Sequence, residues 1–177
     1  MITLSKTHPH KALFLLLGLG FVLSVQAGRP LTVDDANVND VGEGHVEGWW
    51  TRGPSGSRSW TVAPAYSPIQ NVELGAGMAR DPKTKLETQN IQAKFRLTPS
   101  QDNGCNVGAV VGTARTTGEA SKAYVNALFT CNHAKLGSLH NSLGALDVSN
   151  SQRIGTWGLA WERAYGDVTA HMEVYGQ

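Results

Sequence analysis

Charge is scarce in this chain: only 16% of its 177 residues are Asp, Glu, Lys or Arg, well below the roughly 25% of an ordinary soluble domain. The two signs nearly cancel, leaving +1, so no long-range field gathers nucleic acid. Cysteine is down to two residues, too few for a disulfide-dense scaffold. Apolar runs are short as well. The longest, residues 12–25, is broken by Gly18 and Gly20 and falls short of the about 20 residues a spanning helix needs. A helical membrane protein is thereby excluded. Disorder is excluded by the low charge together with well-spread aromatics.

That one apolar run follows Lys6, His8, His10 and Lys11 and ends at Val25-Gln26-Ala27. A basic start, an apolar stretch and a small-residue cleavage motif predict a secretory signal peptide over 1–27, cut after Ala27. An uncleaved anchor is the alternative. Removal of Lys6 and Lys11 moves the formal charge from +1 to −1. Residues 28–43 form a lead-in, expected on the periplasmic side, and 44–177 the folded domain.

From Gly44 onward the chain alternates in segments of about ten residues, a period-2 pattern separated by turn chemistry. The expected strands are 44–52, 57–67, 72–80, 86–97, 106–116, 122–132, 139–149, 155–165 and 168–175. Gly53-Pro54-Ser55-Gly56, Asp81-Pro82, Pro99 to Gly104 and Gly166-Asp167 punctuate them, and such residues favour turns. Nine strands without a convincing helix predict an antiparallel all-β meander.

The faces sort by chemistry. Ile91, Ala93, Phe95 and Leu97 alternate with Thr88, Asn90, Gln92, Lys94 and Arg96. Val168, Ala170, Met172 and Val174 alternate with Thr169, His171, Glu173 and Tyr175. A soluble β-sandwich or lipocalin-like barrel puts the apolar face inward; a transmembrane barrel inverts the arrangement. Three features favour the second. The strands have the 9–11 residues that cross a bilayer when tilted. Trp49, Trp50, Tyr66, Trp157, Tyr165 and Tyr175 lie near strand ends, where interfacial girdles lie. The charged face also carries small residues, such as Gly75, Gly77 and Ala79 beside Glu73; a crowded lumen needs them and a solvated face does not. The expected fold is an all-β, antiparallel up-and-down transmembrane β-barrel. Its polar lumen-lining candidates are Glu73, Lys94, Arg96, Glu162, His171 and Glu173.

A hairpin centred on Gly118 sets Cys105 and Cys131 equally far from the turn, directly opposite on neighbouring strands. In the oxidising compartment a signal peptide implies, that position suits a disulfide. Two free buried thiols are the alternative, and a helical reading of 120–133 leaves the coincidence unexplained.

Chemistry beyond this is sparse. Cys131, His133 and His140 lack a fourth ligand and any metal-site spacing. Asp34, Asp35, Asn37, Asn39 and Asp40 lack the ordered ligands and glycine of a calcium loop, which leaves weak cation binding at most. His171, Glu173 and Glu162 fit a lumen hydrogen-bond network better than an acid–base centre. No nucleophile elbow, phosphate loop or dinucleotide fingerprint occurs. A lipid-modifying enzyme would need a nucleophile beside a histidine, and only His140 and Ser142 share a face. The sequence predicts no catalytic residue, no metal and no cofactor.

Several segments carry a family resemblance. They are Arg29-Pro30-Leu31-Thr32-Val33-Asp34-Asp35-Ala36, Gly42 with Val46-Glu47-Gly48-Trp49, and Pro64-Ala65-Tyr66-Ser67-Pro68 running into Asn71-Val72-Glu73-Leu74-Gly75. Thr156-Trp157-Gly158 and Glu173-Val174-Tyr175-Gly176 complete the set. Together they resemble the MetA-pathway phenol-degradation family of bacterial outer-membrane transport proteins. The resemblance covers most of the chain after residue 27, through motifs that are structural and individually weak. It implies an outer-membrane location in a Gram-negative bacterium and a channel-like role without a catalytic centre. It names no solute, although small hydrophobic or aromatic ones suit the family label.

The family pattern continues for at least one hairpin beyond Tyr175. Bacterial single-chain barrels have even strand numbers, and they usually close on a strand with a terminal aromatic that the barrel-assembly machinery reads. The expectation is therefore a chain truncated before closure, or a miscounted first strand. The expected partners are outer-membrane lipid, the assembly machinery and a small solute, with no nucleic acid. A soluble periplasmic ligand-binding barrel is the first alternative.

Overall fold

β-branched and aromatic residues at alternate positions, cut by glycine and proline turns, leave the backbone one way to satisfy its hydrogen bonds: hairpin after hairpin. The computed structural model describes residues 32–53, 56–148 and 152–177. The expected signal peptide and its cleavage point lie outside the described residues, as does the Arg29-Pro30-Leu31 part of the resemblance.

Nine strands follow one another: β1 (Gly44–Arg52), β2 (Arg58–Ile69), β3 (Val72–Arg80), β4 (Glu87–Arg96), β5 (Gly104–Thr116), β6 (Lys122–His133), β7 (Gly137–Val148), β8 (Gln152–Tyr165) and β9 (Val168–Gly176). Each pairs antiparallel with the next, giving one sheet in sequence order. The all-β meander expected from the alternation is what forms, and no described residue is helical. The sheet curls into a half-barrel whose outer strands, β1 and β9, each have a neighbour on one side only.

Turn positions follow local chemistry. Gly118 takes φ 84° and Gly166 φ 62°, left-handed values that glycine adopts without a Cβ penalty. With Gly118 at the turn, the β5–β6 register pairs Cys105 with Cys131. The two are joined in a disulfide with Cα atoms 4.0 Å apart, and the alternative of free thiols is set aside.

Register fixes which side chains share a face. Pairings carry Glu73 to Lys94, Lys94 to Val110, Val110 to Asn126 and Asn126 to Gly144. The same face holds Thr130, His140, Ala160 and Glu173 in one row. The opposite face carries Leu74, Ala93, Val111, Val125 and Ala145 in register. Large apolar residues on it stand open: Val46, Trp50, Ile91, Phe129, Leu143, Leu159 and Met172 are all exposed. Trp49 departs from the expected girdle. It pairs with Thr61 on the polar face, while its neighbour Trp50 points the other way. Tyr175 likewise pairs with Gly158 on the polar face.

The lead-in before β1 lies across the concave, polar face. Val33, Ala36 and Val38 are buried there, and the hydrophobic cluster consists of Ala36, Val110 and Leu128, with Tyr124 against it. The apolar core is thus a small one, shared between the sheet's hollow and an extended segment.

Candidate functional site

The hollow has two parts, set by what the strands place along it. Towards the end where β1 begins, residues 32–39 form a strap pinned by side chains from β3, β4, β5, β6 and β9. Lys94 Nζ reaches Asp34 Oδ1 at 2.6 Å and Glu73 Oε1 at 3.9 Å. Glu73 Oε2 accepts the backbone N–H of Asn39 at 3.0 Å. Asn106 donates to Asn37 Oδ1 at 3.1 Å, and Thr130 Oγ1 accepts the N–H of Ala36 at 2.9 Å. Glu173 accepts the N–H of Thr32 at 2.6 Å and of Val33 at 3.3 Å. An extended segment without sheet partners would strand its buried N–H groups, each at about 1–3 kcal/mol; carboxylates and hydroxyls from the sheet supply the acceptors instead.

Two glycines let the strap approach. A Cβ on Gly158 would fall 2.6 Å from a methyl of Val33, and one on Gly108 would fall 3.2 Å from the Ala36 Cα. Partial burial pushes the Asp34 carboxyl above the ordinary carboxylate range, more than the facing Lys94 ammonium pulls it down.

Beneath Ala36, Thr130 Oγ1 also meets His140 Nδ1 at 3.0 Å, and His140 Nε2 lies 3.5 Å from Glu162 Oε1. The hydroxyl keeps a second lone pair and its own proton beside the bond from Ala36, so it pairs with Nδ1 in either tautomer of His140. Hydroxyl, imidazole and carboxylate stand in the order a hydrolytic centre uses. Thr130 is wholly buried, however, and its oxygen faces the strap. In this arrangement the three groups anchor a backbone N–H.

The other part of the hollow is open. Asn90, Gln92, Tyr124, Asn126 and Thr156 line it, with Tyr124 donating to Gln92 at 2.8 Å and Thr156 to Asn126 at 3.1 Å. Gly112 and Gly144 lie under Tyr124 and Asn126, where any Cβ would collide with them. The lining is rich in hydrogen-bonding groups, and the row through Asn90 carries Glu47 at one end and Lys122 at the other.

All six lumen candidates fall on the concave face, and the structure brings four of them to the strap's surroundings. Glu73 and Lys94 share the ion cluster with Asp34, Glu173 clamps Thr32, and Glu162 backs His140. Arg96 is spent elsewhere, with Nε and Nη2 both donating to Asn71 Oδ1 in the β2–β3 turn. His171 stands exposed across from Glu162. Sequence reasoning missed the strap itself and its holders Asn106 and Thr130. The available signal was Lys94, a cation in the middle of an inward face, against a lead-in rich in Asp and Asn. Among the described residues no group of His, Cys, Asp or Glu suits a metal. No described helix is long and apolar enough to cross a membrane, which says nothing of strands.

No curated protein and no solved structure matches the chain. A family profile does match, over residues 16–177. The match takes in nearly the whole sequence, including strap, hollow and all nine strands, and the chain therefore belongs to the family described as uncharacterised conserved protein UCP029691.

Proposed function

We propose that the protein is an outer-membrane β-barrel that binds or passes small solutes through its hollow and carries no catalytic activity. One observation carries the reading: between the strand ends the sheet turns large apolar residues such as Ile91, Leu143 and Leu159 outward, and Glu73, Lys94, Glu162 and Glu173 inward. An apolar surface of that extent in water would drive association; in a bilayer it is the lipid-facing half of each strand. The strands, at 9 to 14 residues, suit the about 9–11 needed for a tilted crossing.

The open half of the hollow favours a polar solute that accepts and donates hydrogen bonds. Asn90, Gln92, Tyr124, Asn126 and Thr156 offer amide, phenol and hydroxyl groups. A hydrophobic or aromatic solute rests on the resemblance to the phenol-degradation family alone.

Cell fractionation of the full chain, with unboiled and boiled samples compared on denaturing gels, tests the membrane reading. The expected result is recovery with the outer membrane and migration that changes on heating. Recovery in the soluble fraction, with identical migration, overturns it in favour of a soluble ligand-binding barrel.

A further inference from the structure

At the end of the sheet away from the strap, the outward apolar face gives way to arginine. Arg52 and Arg58 are direct cross-strand partners, as are Trp50 and Trp60 one step further in. Arg80 pairs with Trp60 from the other side, so it stands diagonal to Arg58 on the same face. All three arginines are exposed. None forms an ion pair among the described residues. The nearby carboxylates are engaged: Asp81 accepts the N–H groups of Lys83 and Thr84, and Glu87, opposite Arg80, accepts the Gln89 amide.

Like charges directly opposite on an antiparallel pair repel. Arg52 and Arg58 face each other with no carboxylate opposite either, and although Glu87 lies opposite Arg80, three guanidinium groups against that one same-face carboxylate form a place for an external anion. Each guanidinium presents a planar fork that matches phosphate oxygens two at a time.

We propose that Arg52, Arg58 and Arg80 bind the phosphate of anionic lipid headgroups. The inference rests on the membrane reading and adds to it a lipid class and a rim. Lipid, rather than free phosphate, follows from where the cluster sits. It is on the outward face and not in the hollow, and the rows beneath it continue into Val46, Val62 and Leu74. Trp50 and Trp60 separate it from those rows, at the depth where indole rings meet headgroups. Arginine stems lie along apolar surface while their heads reach outward to phosphate. The near-zero net charge does not oppose this, since the attraction is local to three side chains.

The test uses the full chain in neutral maltoside micelles, titrated with dihexanoyl phosphatidic acid, dihexanoyl phosphatidylcholine or inorganic phosphate. Tryptophan fluorescence reports binding through Trp50 and Trp60. Phosphatidic acid is expected to saturate the signal, with little response to the other two. The combined variant Arg52→Gln, Arg58→Gln, Arg80→Gln is expected to weaken that binding at least tenfold, while Arg115→Gln leaves it unchanged. Unaltered binding by the combined variant overturns the site, and so does equal binding of phosphatidylcholine. A matching response to inorganic phosphate makes it a free-anion site and overturns the lipid assignment. Heat-modifiable migration of the same samples reads the membrane assignment separately. Samples that shift but fail the titration overturn the headgroup site alone, whereas samples that do not shift overturn both.

Discussion

Thr130 carries more of the strap's attachment than its size suggests. Its one oxygen accepts from Ala36 and shares a hydrogen bond with His140, so replacing the hydroxyl by a methyl strands two buried partners at once. Thr130→Val preserves shape and β propensity. It is expected to lower stability by about 1–3 kcal/mol through the unsatisfied Ala36 N–H and His140 Nδ1. Urea unfolding of the detergent-solubilised chain measures the loss, and a change within a few tenths of a kcal/mol would show that strap and sheet are not coupled there. None of this was legible in the sequence. Thr130 reads as one more polar residue in an alternating strand, and its role depends on a partner 94 residues away.

The elements themselves were legible because they follow local rules. Period-2 alternation over 168–175 and the Gly166-Asp167 turn fix β9 without reference to the rest of the chain. The symmetric spacing about Gly118 similarly gave the Cys105–Cys131 pairing before any coordinates. Residues 32–43 defeated that reasoning because an extended segment has no periodicity of its own; its conformation is imposed by acceptors on distant strands. The strap also lies across the proposed solute route. Lys94 is its sole cationic anchor, and Lys94→Met leaves Asp34 and Glu73 facing one another uncompensated. Removing one partner of a buried pair costs about 3–5 kcal/mol, which undocking the strap relieves. Planar-bilayer recordings are expected to show larger or more frequent conductance steps for Lys94→Met than for the wild type. Equal currents from the two would mean that the strap does not obstruct the route.

Across the whole molecule, the middle of the strands is sorted by face. Periodicity alone leaves soluble and membrane barrels tied because both alternate. The strap shows which way the sheet curls, since one short segment touches β3, β4, β5, β6, β8 and β9 only if the polar face is the concave one. A paired substitution tests the lipid side of the sorting. Leu143→Arg, on the outward face near the middle of β7, is expected to cost about 2–4 kcal/mol of stability in a bilayer. Asn126→Asp, inward on the neighbouring strand, is expected to cost under about 1 kcal/mol because it faces the polar hollow. Refolding into phosphatidylcholine vesicles measures both, and equal costs would remove the distinction between the faces.

The clamp between Thr32 and Glu173 spans 141 positions, and it sets an order of events during biosynthesis. Residue 32 leaves the ribosome long before β9 exists, and its seat is complete only once nearly every strand has been made. A segment translated early is therefore among the last to dock. Until then its acidic residues stay hydrated beside a chain whose alternate residues are greasy, which works against premature clumping before the sheet is complete.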